Sequence, residues 1–264
     1  MSDAESWSED AESWSEDAES WSEIAEEWSR SWGSFPRPVH LRLLEACRVE
    51  AGTRVLDVGC GSGELLAALT QRGARAAGLD PSIGMVERAC RTAPDAEVRQ
   101  GSWRSIPWPD ASFDVVTAVN ALQYADDTSA AVAEALRVVR PGGVVAIANW
   151  ADRALNDLDA IEGALAAASG DETPPDGDLR IPGGLEAVLE ESGLELVEAG
   201  VVDVPWTPVD DAALLRGVLL DEDPHPDDSR VVLDAAAPFR RADGAYVLAN
   251  VFRYAVGRAP AVAR

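Results

Sequence analysis

The stretch RVLDVGCGSGELLAAL, Arg54 to Leu69, holds the residues best suited to chemistry: an apolar run containing Asp57, then three alternating glycines, Gly59, Gly61 and Gly63, then a helical pattern. Glycines at every second position let a backbone turn sharply and approach a ligand where any Cβ would intrude. The spacing is one residue shorter than the dinucleotide pattern GxGxxG, so the loop reads as a nucleoside-type cradle with no pyrophosphate to seat. A second acid, Asp80, ends the next apolar run in RAAGLDPS, 23 residues after Asp57. A carboxylate at that place can accept hydrogen bonds from both hydroxyls of a ribose. The plainer alternative is an acid that caps the helix beginning at Ser82.

Such residues need a parallel sheet to hold them. Short apolar strands are expected at Arg54 to Val58, Arg75 to Asp80, Ala96 to Gln100, Phe113 to Val119 and Val144 to Asn149. Helical patterns at Glu64 to Gln71, Ile83 to Arg91 and Ser129 to Val138 alternate with them, the last closed by the breaker PGG at Pro141 to Gly143. A leading helix at Val39 to Cys47, a helix at Leu185 to Ser192 and strands at Leu194 to Val204 and Ala245 to Val256 complete a doubly wound α/β unit. Two polar stretches, about 150–182 and 205–244, interrupt it and read as cap insertions, the first with a helix at Leu155 to Ala168.

The first residues differ in kind. Residues 3 to 23 are three copies of DAESWSE, decaying into IAEEWSR. On a helix, Ala4, Ala11, Ala18 and Ala25 take heptad position a and Trp7, Trp14, Trp21 and Trp28 position d, a seam through which two copies of the chain can associate. Acidic repulsion and modest helix propensity oppose this, so residues 1–27 are expected to be disordered or a frayed helix, set apart from a domain at 28–264.

The formal net charge of −25 makes nucleic acid a poor partner, because phosphate binding depends on basic side chains. No apolar run is long enough to span a bilayer, and the acidic start resembles neither a secretory signal nor a transit peptide. A cytoplasmic address follows, in keeping with three cysteines, Cys47, Cys60 and Cys90, at no metal-ligand spacing. The chain has no lysine, so all 22 basic residues are arginine.

Four blocks, VLDVGCGSG, GLDPSIGMVERA, VRQGSWRSIPWPDASFDVVTAVNALQY and LRVVRPGGVVAIANW, stand in an order and at a spacing that resemble the class I S-adenosylmethionine-dependent methyltransferases. The likeness runs from about Trp28 to the C-terminus and is strongest to the small-molecule branch that includes quinone-biosynthesis C-methyltransferases. It implies a Rossmann-like sheet of seven strands in the order 3-2-1-4-5-7-6, strand seven antiparallel. It further implies S-adenosyl-L-methionine as cofactor, with Asp57, Gly59, Gly61 and Gly63 around its methionine part. Asp80, followed by Pro81 and Ser82, would hold the ribose, Met85 would lie against adenine, and Asn120 would approach the methionine amine. Where the family usually has an aspartate on the adenine amine, this sequence has Ser102 and Trp103, which shifts adenine recognition toward backbone and stacking.

Ligands of such sheets bind outside the carboxyl ends of the strands. Trp32, Gln123, Tyr124 and Trp150 are therefore expected to line a pocket for a small-molecule substrate, together with His225 of the second insertion, the better placed of the two histidines because His40 stands among Val39, Leu41 and Leu43 of the leading helix; the prolines and aspartates around His225 also read simply as an exposed turn. Arg180 reads as a solvated loop arginine or a partner for a substrate carboxylate. Methyl transfer mainly requires alignment and exclusion of water, and NALQY after strand four lacks the histidine that related enzymes often carry there, so neither histidine is expected to be an essential base. The same fold and cofactor would also serve a cyclisation or rearrangement, and a non-catalytic cofactor-binding assembly module is a third reading.

Overall fold

The computed structural model describes residues 3–173, 175–221 and 224–261, with side chains from residue 18 onward. Strands β1 (Arg54–Val58), β2 (Arg75–Asp80), β3 (Glu97–Gln100), β4 (Phe113–Val119), β5 (Val139–Trp150), β6 (Glu195–Asp203) and β7 (Val251–Arg258) form one sheet, ordered β3-β2-β1-β4-β5-β7-β6. Strands β1 to β5 are parallel, and β7 runs antiparallel to both β5 and β6. This is the doubly wound arrangement expected.

Alternation along each strand sends neighbouring residues to opposite faces, so two apolar layers sandwich the sheet. Leu56 and Val116 face one layer, completed by α5 (Thr128–Val138) and α7 (Gly184–Glu191). Val55 and Val115 face the other, under α2 (Arg37–Ala46), α3 (Glu64–Gln71) and α4 (Ile83–Thr92).

Two strand expectations are corrected. The PGG segment lies inside β5: Phe113 pairs with Val139 but Val115 already pairs with Val144, so Arg140 to Gly143 bulge out of the ladder instead of forming a separate turn. The last strand starts at Val251, because Tyr246 and Leu248 bridge to Arg240 and Trp206 in the cap.

Helices α6 (Asp157–Ser169), α8 (Asp211–Leu219) and α9 (Pro226–Ala236) come from the two insertions and share a small core of Ile161, Leu214, Val232, Ala236, Tyr246 and Leu248. Arg180, expected in solvent or on a substrate, instead ion-pairs with Asp159 and Asp176 beneath this cap.

The expected break at residue 27 falls within one helix, α1 (Asp3–Trp32). From Ala18 on, its heptad seam has a partner, and that partner is the domain. Ala25 is buried, and Ser22 Oγ lies 2.9 Å from Ser82 Oγ and accepts the Gly84 amide at 3.3 Å. Arg88 of α4 reaches Glu26 at 2.6 Å. Burying the apolar edge removes the reason for disorder in this part of the tract.

A pair of deletions tests this division. Removing residues 2–16 is expected to leave the melting temperature nearly unchanged, since those repeats contain no aliphatic residue larger than alanine. Removing residues 2–27 also strips Trp21, Ser22 and Ala25, and should cost about 2 kcal/mol, a fall of roughly 4 to 8 °C for a chain this size. Equal melting of the two variants would show that residues 17–27 contribute nothing to the fold.

Candidate functional site

At the carboxyl ends of β1, β2, β4 and β5 the loops enclose a cavity of about 470 Å³. Its floor is the glycine loop. Gly61, at φ +51°, has nothing within 4 Å of where a Cβ would stand, so its backbone faces open space that a ligand can fill. Gly59 and Gly63 are small for a different reason: a Cβ would run into Ala121 at 2.3 Å in one case and the Ala89 backbone at 2.8 Å in the other. Gly63 is thus a helix-packing residue, absent from the cavity lining, which corrects its expected place.

Two carboxylates meet the floor. Asp80 is buried, its Oδ2 accepting the Gly61 amide at 2.9 Å and its Oδ1 the Ser82 amide at 3.0 Å. Burial pushes its carboxyl up to about 6, and the two backbone N–H groups hold that rise in check. Each oxygen retains a lone pair for a further donor. Asp57 is pushed up to about 7 by burial, opposed by the Thr117 hydroxyl at 2.8 Å and reinforced by the charge of Asp80.

Pro81, Met85, Ser102, Trp103 and Asn120 all reach the cavity. Met85 is buried, and Trp103 is fixed by its Nε1–H donating to Ala121 O at 3.2 Å. Asn120 sits at φ +51° and accepts the Trp150 amide through Oδ1 at 3.1 Å, tying the ends of β4 and β5 together. Ser82 does not line the cavity; its hydroxyl caps α4 by accepting the Met85 amide and faces Ser22.

The opposite wall is aromatic. Trp32 is buried, stacks on Trp206 of the cap with centroids 4.6 Å apart, and donates from Nε1 to Gly217 O at 2.8 Å. Phe35 stacks on Trp150 at 5.4 Å, and Trp21 meets Trp28 at 4.8 Å and Tyr124 at 6.1 Å edge-on. Gln123 and Tyr124 lie at the rim, exposed to solvent. Four of the five expected substrate residues are therefore brought together.

His225 is not among them. It caps α9 from the outside, its Nδ1 accepting the Asp227 amide at 3.3 Å, with two thirds of the side chain in solvent. The flanking prolines and acids hold it in a surface turn. The histidine that does line the cavity is His40. Also missed were Ala18 and Trp21 of the repeat, and Glu64, which accepts from the Ser62 hydroxyl at 2.7 Å. The heptad register held a signal for the first two; the signal for Glu64 was its place in the first turn after the glycines.

Residues 56–147 match the family described as methyltransferase domain. These residues form a methyltransferase domain, similar to those of the class I S-adenosylmethionine-dependent methyltransferases. Malonyl-[acyl-carrier protein] O-methyltransferase of Serratia marcescens is 34% identical over 122 residues, which are 46% of this chain and 48% of that one. Demethylmenaquinone methyltransferase of Renibacterium salmoninarum is 34% identical over 108 residues, 41% of this chain and 46% of the other. The match thus spans about half the length of these curated relatives. A solved S-adenosylmethionine-dependent methyltransferase from Aquifex aeolicus shares the fold, with a TM-score of 0.55 and 16% identity over 88% of this chain and 97% of that one.

The cofactor of that family is S-adenosyl-L-methionine, and the floor of the cavity fits it. The open space over Gly61, the spare lone pairs of buried Asp80 and the apolar face of Met85 match a backbone approach, a diol and a flat base. Among the described residues no helix is long and apolar enough to cross a membrane.

Proposed function

We propose that this chain transfers a methyl group from S-adenosyl-L-methionine to a small-molecule acceptor. The observation that carries the reading is a single cavity with the glycine loop and two buried carboxylates on one side and an aromatic wall on the other. Asp80 takes the ribose hydroxyls, the Gly61 backbone the methionine part, Met85 one face of adenine, and Ser102 and Trp103 its edge. The cofactor brings a methyl carbon already attached to its leaving group. The protein must align the acceptor and keep water out. Trp28, Trp32, Phe35 and Trp150 do both, since ring faces favour an apolar acceptor and a sulfonium cation by roughly 0.5 to 2 kcal/mol per cation contact.

Residues 28–264 carry this reaction on our reading, and the first two repeat copies serve self-association; the mass of the 2–16 deletion in solution, monomeric against oligomeric full-length protein, tests the latter. The free thiols of Cys47, Cys60 and Cys90 suit the cytoplasm as the place of action.

The test is release of S-adenosylhomocysteine across a panel of acceptors. Stoichiometric release with methylated product supports the reading; product formed without release would make the protein a cyclase or isomerase, and failure to bind the cofactor would overturn the proposal.

The carboxylates add a pH dependence. Hydroxyl donors and a cationic ligand favour the ionised forms of Asp80 and Asp57, which in the free protein take up protons below about 6 and about 7. Binding must release those protons, so affinity is expected to rise with pH between 5 and 8, approaching tenfold per unit for each proton released. Calorimetry in two buffers of different ionisation enthalpy checks this. A flat profile would contradict it.

A further inference from the structure

His40 lies one helical turn from Pro36 on α2, and both line the cavity, while Leu43 and Leu44 of the next turn enter the core. The residue is only 7% exposed, yet its imidazole makes no hydrogen bond or ion pair with any described residue. Buried imidazoles ordinarily spend their N–H and lone pair on protein partners. One that borders a cavity and has no such partner keeps both for whatever fills it. Burial also drives its pKa down to about 4, so the ring is neutral at physiological pH, with a lone pair available.

The charge of the wall narrows what that occupant is. Every basic side chain in the protein is an arginine, and among the described residues none of them lines this cavity, whereas Asp57, Glu64, Asp80 and Asp126 do. An acceptor bearing a carboxylate or phosphate would find no arginine among the described lining residues to pair with. The remaining wall is rings.

We propose that the acceptor is an uncharged, planar aromatic compound carrying an ionisable hydroxyl, and that His40 takes the hydroxyl proton during methyl transfer. This rests on the methyl-transfer reading of the same cavity. The hydroxyl oxygen forms the new bond to the methyl carbon, the carbon–sulfur bond breaks with its electron pair going to sulfur, and the O–H proton passes to His40. The resulting imidazolium loses its proton to solvent as the product leaves. The base thus comes from α2, packed on one face of the sheet, and not from the loop after β4, where NALQY offers none.

Binding without turnover tests the idea. In protein saturated with S-adenosylhomocysteine, calorimetry with 2-naphthol, 2-methoxynaphthalene and 2-naphthoate is expected to show 2-naphthol at least tenfold tighter than 2-naphthoate and at least threefold tighter than its methyl ether. His40→Phe should erase the preference for the naphthol over the ether. His40→Gln, which keeps an acceptor atom but cannot carry the proton, should keep that preference and lower turnover of 2-naphthol a hundredfold or more. Should His40→Phe not fold, the imidazole nitrogen signals of the wild type decide, shifting with 2-naphthol and not with its ether. Equal or tighter binding of 2-naphthoate, binding of none of the three, or a His40→Phe variant that still prefers the naphthol would overturn the proposal. Failure of S-adenosylhomocysteine to bind would instead overturn the methyl-transfer reading, and the three probes read on the free protein would still decide the role of His40.

Discussion

Replacing Asp80 with alanine is expected to weaken S-adenosyl-L-methionine binding by roughly 1.5 to 3 kcal/mol, or about 10- to 150-fold, the range for hydrogen bonds to a charged group. The carboxylate stands at the end of β2 with one lone pair on each oxygen engaged by Gly61 and Ser82 and the others directed to the cavity side of the loop. Alanine removes the acceptors for both ribose hydroxyls at once. It also leaves two loop amides without their partner, so Asp80→Asn is the companion variant: its one oxygen still accepts one of the two amides, and it carries no charge. Asn should therefore lower the melting temperature less than alanine does while still losing most of the affinity and part of its pH dependence. Calorimetric binding unchanged in a folded Asp80→Ala protein would mean that the ribose lies elsewhere.

The second large effect is on the closure of the cavity. Trp32→Ala is expected to destabilise the protein by about 3 to 5 kcal/mol, as for other buried tryptophans cut to alanine, lowering the melting temperature by roughly 6 to 20 °C. Trp32 ends α1, stacks on Trp206, meets Phe35 edge-on at 5.1 Å and donates to Gly217 of α8. It is the point at which the first helix, the leading segment and the second insertion are joined. Trp32→Phe keeps much of the ring contact but leaves the Gly217 carbonyl unpaired, and should cost about 1 to 3 kcal/mol. A fall of less than about 3 °C for the alanine variant would show that cap and first helix are held by other contacts.

These two residues also mark the limit of what the sequence by itself determined. Local chemistry determined the floor: an apolar strand, alternating glycines and a strand-end acid specify a strand–loop–helix unit whose ligand side follows from backbone geometry alone. The strand order followed from four blocks in a family order, and Asp57, Gly59, Gly61, Asp80 and Met85 were legible for that reason. The roof was decided by the tertiary structure. Ala18, Trp21 and Trp28 read equally well as one half of a coiled-coil seam, since a heptad pattern states that a face must be buried and not against what; the domain surface supplied the partner. Ser82 and Gly63 have the residue types of a ligand loop, but Ser22 and Ala89, 60 and 26 positions away, turned them to packing and capping. The two histidines were likewise ranked by their neighbours in sequence, which placed His225 over the cavity and His40 in a helix core. Burial without a partner is a property of three dimensions: it left His225 in a solvated turn and His40 against the cavity.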